Sequence, residues 1–335
     1  MTAAPRGEFG WIARLIAVLA ESGAEGAAAI GDDAAIVQEL AGPPTVWTID
    51  TLVEGVHFRF DWLDPEAVGR RALAASLSDL AAMGAEPLGA LVAAAGPAGV
   101  VGARIEGVYR GIAALAGAAG CPILGGDLAR AEGPLHLTVT ALGRCADGPP
   151  LTRHGARVGD EVWVTGELGG PAAALALLGA EGTAPGVRAH AAYERLARPW
   201  PRNREIAWLR ARAQIDAAID LSDGLSGDAR HVAVRSGVRI VLEAERLPLH
   251  PGAVDAARRR GEDPFEWALH GGDELEILLI SPAGALGSHA EAFAETFNVP
   301  LTRIGTVGEG SGVDLVRAGA AAPLRSRAWD HFAGD

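Results

Sequence analysis

The chain has 335 residues, 49% of them hydrophobic, and a formal net charge of −13. That length accommodates two domains of ordinary size, that hydrophobicity excludes a disordered chain, and that acidity, with no basic stripe, argues against nucleic-acid binding. All 29 basic residues are arginines, which excludes a P-loop, the strand lysine of protein kinases and lysine Schiff-base chemistry.

Residues 8–22 read as an amphipathic helix, with Phe9, Ile12, Leu15, Ile16 and Leu19 on one face. Arg14 interrupts its apolar run, so it does not read as a secretory signal. Residues 34–40 and 45–49 read as strands across a Gly-Pro-Pro turn. Asp64-Pro65 starts a helix, an N-cap followed by proline at the first helical position, and Gly84 stops it. Leu73, Leu77 and Leu80 form one stripe of that helix, and Asp79 points about 120° away from it. A strand over 88–95, a helix over 101–119 ended by Gly120, and a strand over 135–143 follow. The apolar run 87–101 is broken by Gly96 and Pro97 and is too short to cross a bilayer. Asp147-Gly-Pro-Pro150 reads as a linker, dividing the chain into domains 1–149 and 150–335. Beyond it lie strands over 161–165, 217–221, 238–242, 276–280 and 303–307. Helices open at Gly169-Gly170-Pro171 and run over 225–235. Strands and helices alternate without a strict βαβ series, so the fold class is α+β, or mixed α/β, in two halves. Cys121 and Cys145 read as buried thiols of a cytoplasmic protein.

Aspartate punctuates this pattern. It stands in Gly31-Asp32-Asp33, Ile49-Asp50-Thr51, Ser78-Asp79-Leu80, Gly125-Gly126-Asp127, Asp220-Leu221-Ser222-Asp223-Gly224 and Gly271-Gly272-Asp273-Glu274. Carboxylates beside glycines at strand ends hold hard cations, and hard cations hold phosphates. Without lysine, phosphate charge must be met by metal ions, arginine and backbone N–H groups. Each motif also has a plain reading. Asp33 is a turn residue or a ligand, and Asp50 ends its strand as a solvated turn residue or a ligand. Asp79, on a helix of alanine and leucine, needs a partner, and Arg70 and Arg71 lie beyond the i,i+4 reach. Gly125-Gly126-Asp127 follows a buried-type strand as a turn or a phosphate approach. Ser222 or Asp223 caps the next helix, receives a phosphate and a metal, or does both. His57 is a core histidine or a ligand contact, and Trp329 is a core residue or a stacking platform.

Together these motifs resemble the thiamine-monophosphate kinase family, within the superfamily of aminoimidazole ribonucleotide synthetase. The resemblance rests on Gly7-Glu8-Phe9, Gly31-Asp32-Asp33-Ala34, Asp50-Thr-Leu-Val-Glu-Gly-Val-His57-Phe58, Leu77-Ser-Asp-Leu-Ala-Ala-Met-Gly-Ala85, Gly125-Gly-Asp127, Leu151-Thr-Arg153, Gly159-Asp160, Val164-Thr-Gly-Glu-Leu-Gly-Gly170, Ala218-Ile-Asp-Leu-Ser-Asp-Gly-Leu225, Gly271-Gly272 and Asp330-His331-Phe332. It implies a two-domain fold of that superfamily, with N-terminal sheets paired in a homodimer and ATP bound near the interface. It implies phosphorylation of thiamine monophosphate by ATP, giving thiamine diphosphate and ADP, the last step of thiamine diphosphate formation. Carried over, Asp33, Thr48, Asp50, Asp79, Asp127, Asp220 and Asp223 would hold several magnesium ions. Tyr109, Gly126, Asp127, Arg153 and Ser222 would contact ATP, and His57, Asp273 and Trp329 would contact thiamine monophosphate. The family often shows Gly-Gly-Glu-Asp where this chain has Gly272-Asp273-Glu274, so Asp273 or Glu274 fills the substrate role. Ile49 stands where a hydroxyl residue is frequent. A sister ATP-using synthetase and a non-catalytic nucleotide-binding regulator are the alternative readings. Partners beyond thiamine monophosphate, ATP and a second copy are not implied, and neither nucleic acid nor membrane is.

Overall fold

The computed structural model describes residues 42–146, 148–329 and 32–37, together with positions 10, 13, 16 and 17. The helix expected over 8–22 lies outside the described residues except at those four positions, which are helical. Gly7-Glu8-Phe9, Gly31, Asp147 and Asp330-His331-Phe332 lie outside them too.

The first sheet has five strands in the order β1-β2-β5-β3-β4. They are β1 Ala35–Val37, β2 Thr45–Val53, β3 Glu86–Gly96, β4 Ile123–Arg130 and β5 His136–Arg144. Neighbours run antiparallel except β3 and β4. The alternation of β2, β3 and β5 sends Val46, Leu52, Val92, Leu137 and Val139 inward, where all are buried. Helix α1 (Pro65–Ala82) packs its Leu73, Leu77 and Leu80 into the same core. Asp64 caps it as expected, its Oδ1 accepting the Ala67 N–H at 2.7 Å. Gly84 turns the chain away with φ +66°. The opposite sheet face keeps Trp47, Ile49 and Leu91 exposed.

Helix α2 (Ala98–Ala119) crosses α1 closely enough that both need glycine at the contact. A Cβ at Gly69 would sit 1.8 Å from the Val108 carbonyl oxygen, and one at Gly111 would sit 1.8 Å from that of Glu66. These obstacles are helix backbone, which cannot rotate aside. Gly111→Ala is therefore expected to destabilise the protein by about 3 kcal/mol, at the upper end of ordinary overpacking. Urea unfolding would show it, and a loss below about 0.5 kcal/mol would contradict the crossing.

The second sheet has seven strands in the order β12-β11-β8-β10-β6-β9-β7. They are β6 Glu161–Thr165, β7 Ala217–Asp220, β8 Arg239–Glu243, β9 Ile277–Ser281, β10 Leu301–Gly308, β11 Gly312–Arg317 and β12 Ala320–Pro323. Around it lie α3 Gly170–Glu181, α4 Pro185–Arg188, α5 Ala191–Ala197, α6 Asn203–Arg210, α7 Leu225–Ser236, α8 Pro251–Arg260, α9 Pro264–His270 and α10 Ala290–Phe297. β9 is buried along its whole length, as a central strand of only apolar residues and one serine should be. The architecture is the expected mixed α/β arrangement.

Two expectations need correction. β2 continues past Ile49 to Val53, because Asp50 pairs with Val139 in the ladder, so Asp50 is a mid-strand residue. Gly125-Gly126-Asp127 is no turn after a buried strand. It lies within β4, which is mostly exposed, and a Cβ at Gly126 would lie 1.9 Å from the Val92 carbonyl oxygen. Close backbone approach alone explains that glycine.

Candidate active site

The inner face of β2 and the second half of α1 meet the C-terminal end of β7. β2 contributes Thr48 and Asp50, two residues apart and so on one face. α1 contributes Ser76, Ser78 and Asp79, and β7 ends on Asp220. The segment before β1 adds Asp33. Asp33, Asp79 and Asp220 each place a carboxylate oxygen within 4.8 Å of the others. They line a cleft of about 1110 Å³, together with Asp50, Thr48, Arg153, Ser222 and Asp223.

Hydroxyls fix these carboxylates. Thr48 Oγ1 donates to Asp79 Oδ2. Ser76 Oγ donates to Asp50 Oδ2 at 2.8 Å, and Ser78 Oγ donates to Asp220 Oδ2 at 2.8 Å. Arg153 forks onto Asp33, with Nη2–Oδ1 at 2.8 Å and Nε–Oδ2 at 3.2 Å. Its backbone N–H donates to Asp32 Oδ1 at 2.9 Å.

Electrostatics at this point are unfavourable for bare charges. Burial, and then the charges of Asp50, Asp220 and Asp33, push the Asp79 carboxyl well above the usual carboxylate range. Burial, then Asp33, does the same to Asp220. Burial also raises Asp50, with the Ser76 hydrogen bond pulling the other way. Asp228, on the first turns of α7, is raised well above normal by burial and by Asp223 and Asp220. Burial opposes the charge on Arg153, but the Asp33 carboxylate overrides it and raises the guanidinium's pKa. Burial and the nearby Arg153 hold His231 down at about 4. Hard oxygen donors gathered against their own repulsion suit a hard divalent cation, which would supply the missing positive charge.

The turn after β7 departs from one expectation. Neither Ser222 nor Asp223 caps α7. The cap is Gly224, with no side-chain cap bond, and Asp228 reaches back to accept the Gly224 N–H at 3.1 Å. Ser222 and Asp223 line the cleft.

The same cleft is lined by the three residues expected for the acceptor. His57 lines it, with Nδ1 accepting the Val53 N–H at 3.0 Å. Trp329 is 53% exposed there, and its N–H donates to the Asp223 carbonyl at 3.1 Å. Asp273 faces the cleft, whereas its neighbour Glu274 is fully buried and accepts the Gly169 N–H. Burial pushes Glu274 up to about 8. Between these two acids, geometry favours Asp273 for the substrate role.

Tyr109, Gly126 and Asp127 are not brought to this cleft. They line a separate shallow depression over β4 with Ile123, Leu124 and Leu128. Tyr109 Oη donates to the Val92 carbonyl at 3.4 Å, and burial, then Asp127, raises the phenol's pKa. Sequence reasoning also missed Ser76, Ser78, Asp228 and His231. The serines carried a signal, as small polar residues on an apolar helix one and three positions before Asp79. Asp228 and His231 carried none, since both read as polar residues of a surface helix.

Residues 31–145 match the model for the N-terminal domain of AIR synthase related proteins, and residues 157–317 match that for the C-terminal domain. The thiamine-monophosphate kinase of Caulobacter vibrioides is 37% identical over 98% of this chain and 92% of its own. The chain belongs to the thiamine-monophosphate kinase family. The Aquifex aeolicus thiamine-monophosphate kinase is 34% identical over 97% of this chain and 98% of its own. A solved structure of AaThiL complexed with AMPPCP and TMP superposes with a TM-score of 0.82, at 32% identity, covering 99% of both chains. A thiamine-monophosphate kinase must bring two phosphate-bearing anions together, and the acid cluster facing this cleft is suited to that once cations are bound.

Proposed function

We propose that this chain transfers the γ-phosphoryl group of ATP to thiamine monophosphate, giving thiamine diphosphate and ADP, by direct in-line displacement. The observation that carries this reading is the convergence of Asp33, Asp79 and Asp220 within 4.8 Å, on a cleft that His57, Asp273 and Trp329 also line. Magnesium is the proposed metal, held by Asp33, Thr48, Asp50, Asp79, Asp220 and Asp223, with Asp127 a further ligand from outside the cleft. Bound there, it would supply the positive charge that neutralises and aligns the two phosphates. The chain's own residues do the rest. Ser76, Ser78 and Thr48 hold Asp50, Asp220 and Asp79 in fixed orientations, so little reorganisation is needed on binding. Arg153 anchors Asp33 and, with Ser222, faces the nucleotide. Trp329 offers an aromatic face to the acceptor's rings. The acceptor phosphate has a second pKa of about 6, so it is already largely ionised and needs no strong general base.

Tyr109, Gly126 and Asp127 fit this reading through a second copy. The outward sheet face exposes Trp47, Ile49 and Leu91, and the edge strand β4 exposes Leu124 and Leu128, together an apolar surface suited to a homodimer in which one protomer's depression faces its partner's cleft. We also propose domains 1–149 and 150–335 and a cytoplasmic location. Among the described residues, no helix is long and apolar enough to cross a membrane.

Chromatography of thiamine species after mixing enzyme, ATP, magnesium and thiamine monophosphate tests the reaction. Magnesium-dependent thiamine diphosphate, lost in Asp50→Asn, is the expected result. Incubation with γ-labelled ATP alone should leave the protein unlabelled, and a covalent label would exclude direct transfer.

A further inference from the structure

Arg71 belongs to none of the metal or nucleotide motifs, yet it lines the cleft. It sits on α1 about two turns before Ser78, and its side chain is only 5% exposed. The guanidinium reaches three separate segments. Nη1 donates to the Leu196 carbonyl at 3.1 Å, and Nη2 donates to the His57 carbonyl at 3.5 Å and to Asp273 Oδ2 at 2.9 Å. Nε is buried with no hydrogen-bond partner among the described residues. Two of the three contacts thus fall on residues assigned to the acceptor.

Asp273 needs such a hold. Its φ is +64°, a left-handed conformation that non-glycine residues seldom adopt. Its N–H donates to the Ser222 carbonyl at 2.7 Å, which fixes the backbone but not the carboxylate. The side chain is 45% exposed, and Arg71 takes only Oδ2. Oδ1 is left to the cleft. The acceptor carries a cationic thiazolium ring and an amino group, and both suit an oriented carboxylate oxygen. A buried guanidinium is costly to strand, so it holds its partners more firmly than a solvated ion pair does.

We infer that Arg71 is a positioning residue for the acceptor, acting through Asp273 without touching ATP. This rests on thiamine monophosphate being the acceptor. The fork of arginine reaches Leu196, His57 and Asp273 together, and a lysine ammonium on a flexible stem cannot match that geometry.

Steady-state kinetics of wild type, Arg71→Met, Arg71→Lys, Asp273→Ala and the double variant Arg71→Met with Asp273→Ala test the inference, with thermal unfolding of each. Arg71→Met should raise KM for thiamine monophosphate about tenfold or more, while kcat and KM for ATP stay within about threefold. Arg71→Lys should fall between it and wild type. The double variant should be no worse than Asp273→Ala alone, because the two act as one unit. Multiplying effects in the double variant would overturn the inference. So would a joint rise of both KM values with a fall in Tm, which marks a purely structural residue. If Arg71→Met does not fold, Arg71→Lys carries the test. A raised KM for the acceptor at wild-type Tm supports the inference, and a wild-type KM overturns it. A wild-type protein that converts no thiamine monophosphate would sink the proposed function and this inference with it. Conversion with unaltered Arg71 variants would sink the inference alone.

Discussion

Asp220→Asn is expected to lower kcat at least about a thousandfold, since a lost metal carboxylate removes about 4 kcal/mol of transition-state stabilisation. The same change should stabilise the metal-free protein. Asparagine still accepts the Ser78 hydroxyl through its amide oxygen, so the local packing survives. What disappears is a buried carboxylate pressed against Asp33 and raised well above its ordinary value of 3.8. The sign follows from linkage. A carboxyl whose folded pKa exceeds its unfolded one holds its proton more tightly in the folded chain. Its contribution favours folding at low pH and is lost as pH rises from 3.8 through the raised folded value. Asp79 and Asp228 act in the same direction. Thermal unfolding of chelator-treated wild type should therefore show Tm falling as pH rises above 3.8 into the raised range, with a shallower fall in Asp220→Asn. Magnesium should raise Tm of wild type at the upper end of that range and do much less for the variant. A variant with full activity, or a wild type whose Tm ignores magnesium, would contradict the assignment of the cluster.

Leu91→Asp should separate the protomers and, with them, the activity. Leu91 lies on the outward face of β3, opposite Thr140 of β5, and is 46% exposed. It does not line the cleft, so its replacement leaves the acid cluster untouched. A carboxylate placed in an apolar interface without a partner costs about 3–5 kcal/mol, enough to weaken a dimer about a hundredfold or more. Sedimentation should show a wild-type dimer and a variant monomer with Tm little changed. Activity of the variant should fall with dilution, because Tyr109, Gly126 and Asp127 lie away from their own chain's cleft. A fully active monomer would rule out a composite site.

Much of this was legible in the residues. The N-cap at Asp64, the stop at Gly84 and the strand over 161–165 followed from local rules, because capping and alternation are properties of a few neighbours. The acid cluster was legible for a similar reason. Asp79 on an apolar helix has no cheap explanation except a partner, and the structure supplies the Thr48 hydroxyl and sets Asp33 and Asp220 beside it. The short helices α4 to α6, α9 and α10 were missed, since 4–8 residues give too few turns for a periodic stripe, whereas the triplet Arg258-Arg259-Arg260 read as a helix end and closes α8. Gly125-Gly126-Asp127 misled because glycine permits both a turn and a tight strand crossing. Arg71 could not be read as a site residue at all. Its partners, at positions 57, 196 and 273, are brought to it only by the folded chain.

The hydrogen bond from Ser78 to Asp220 spans 2.8 Å in space and 142 positions in sequence. It joins a helix of the first sheet's half to a strand end of the second's. Neither half holds the whole of the proposed cation site, since Asp33, Asp50 and Asp79 belong to one and Asp220 and Asp223 to the other. The two halves are therefore poor modules for recombination. A chimera joining the first half of this chain to the second half of a distant relative would inherit two well-formed folds and a mismatched seam. Compatibility at that seam, more than the stability of either piece, would decide whether such a hybrid turned over.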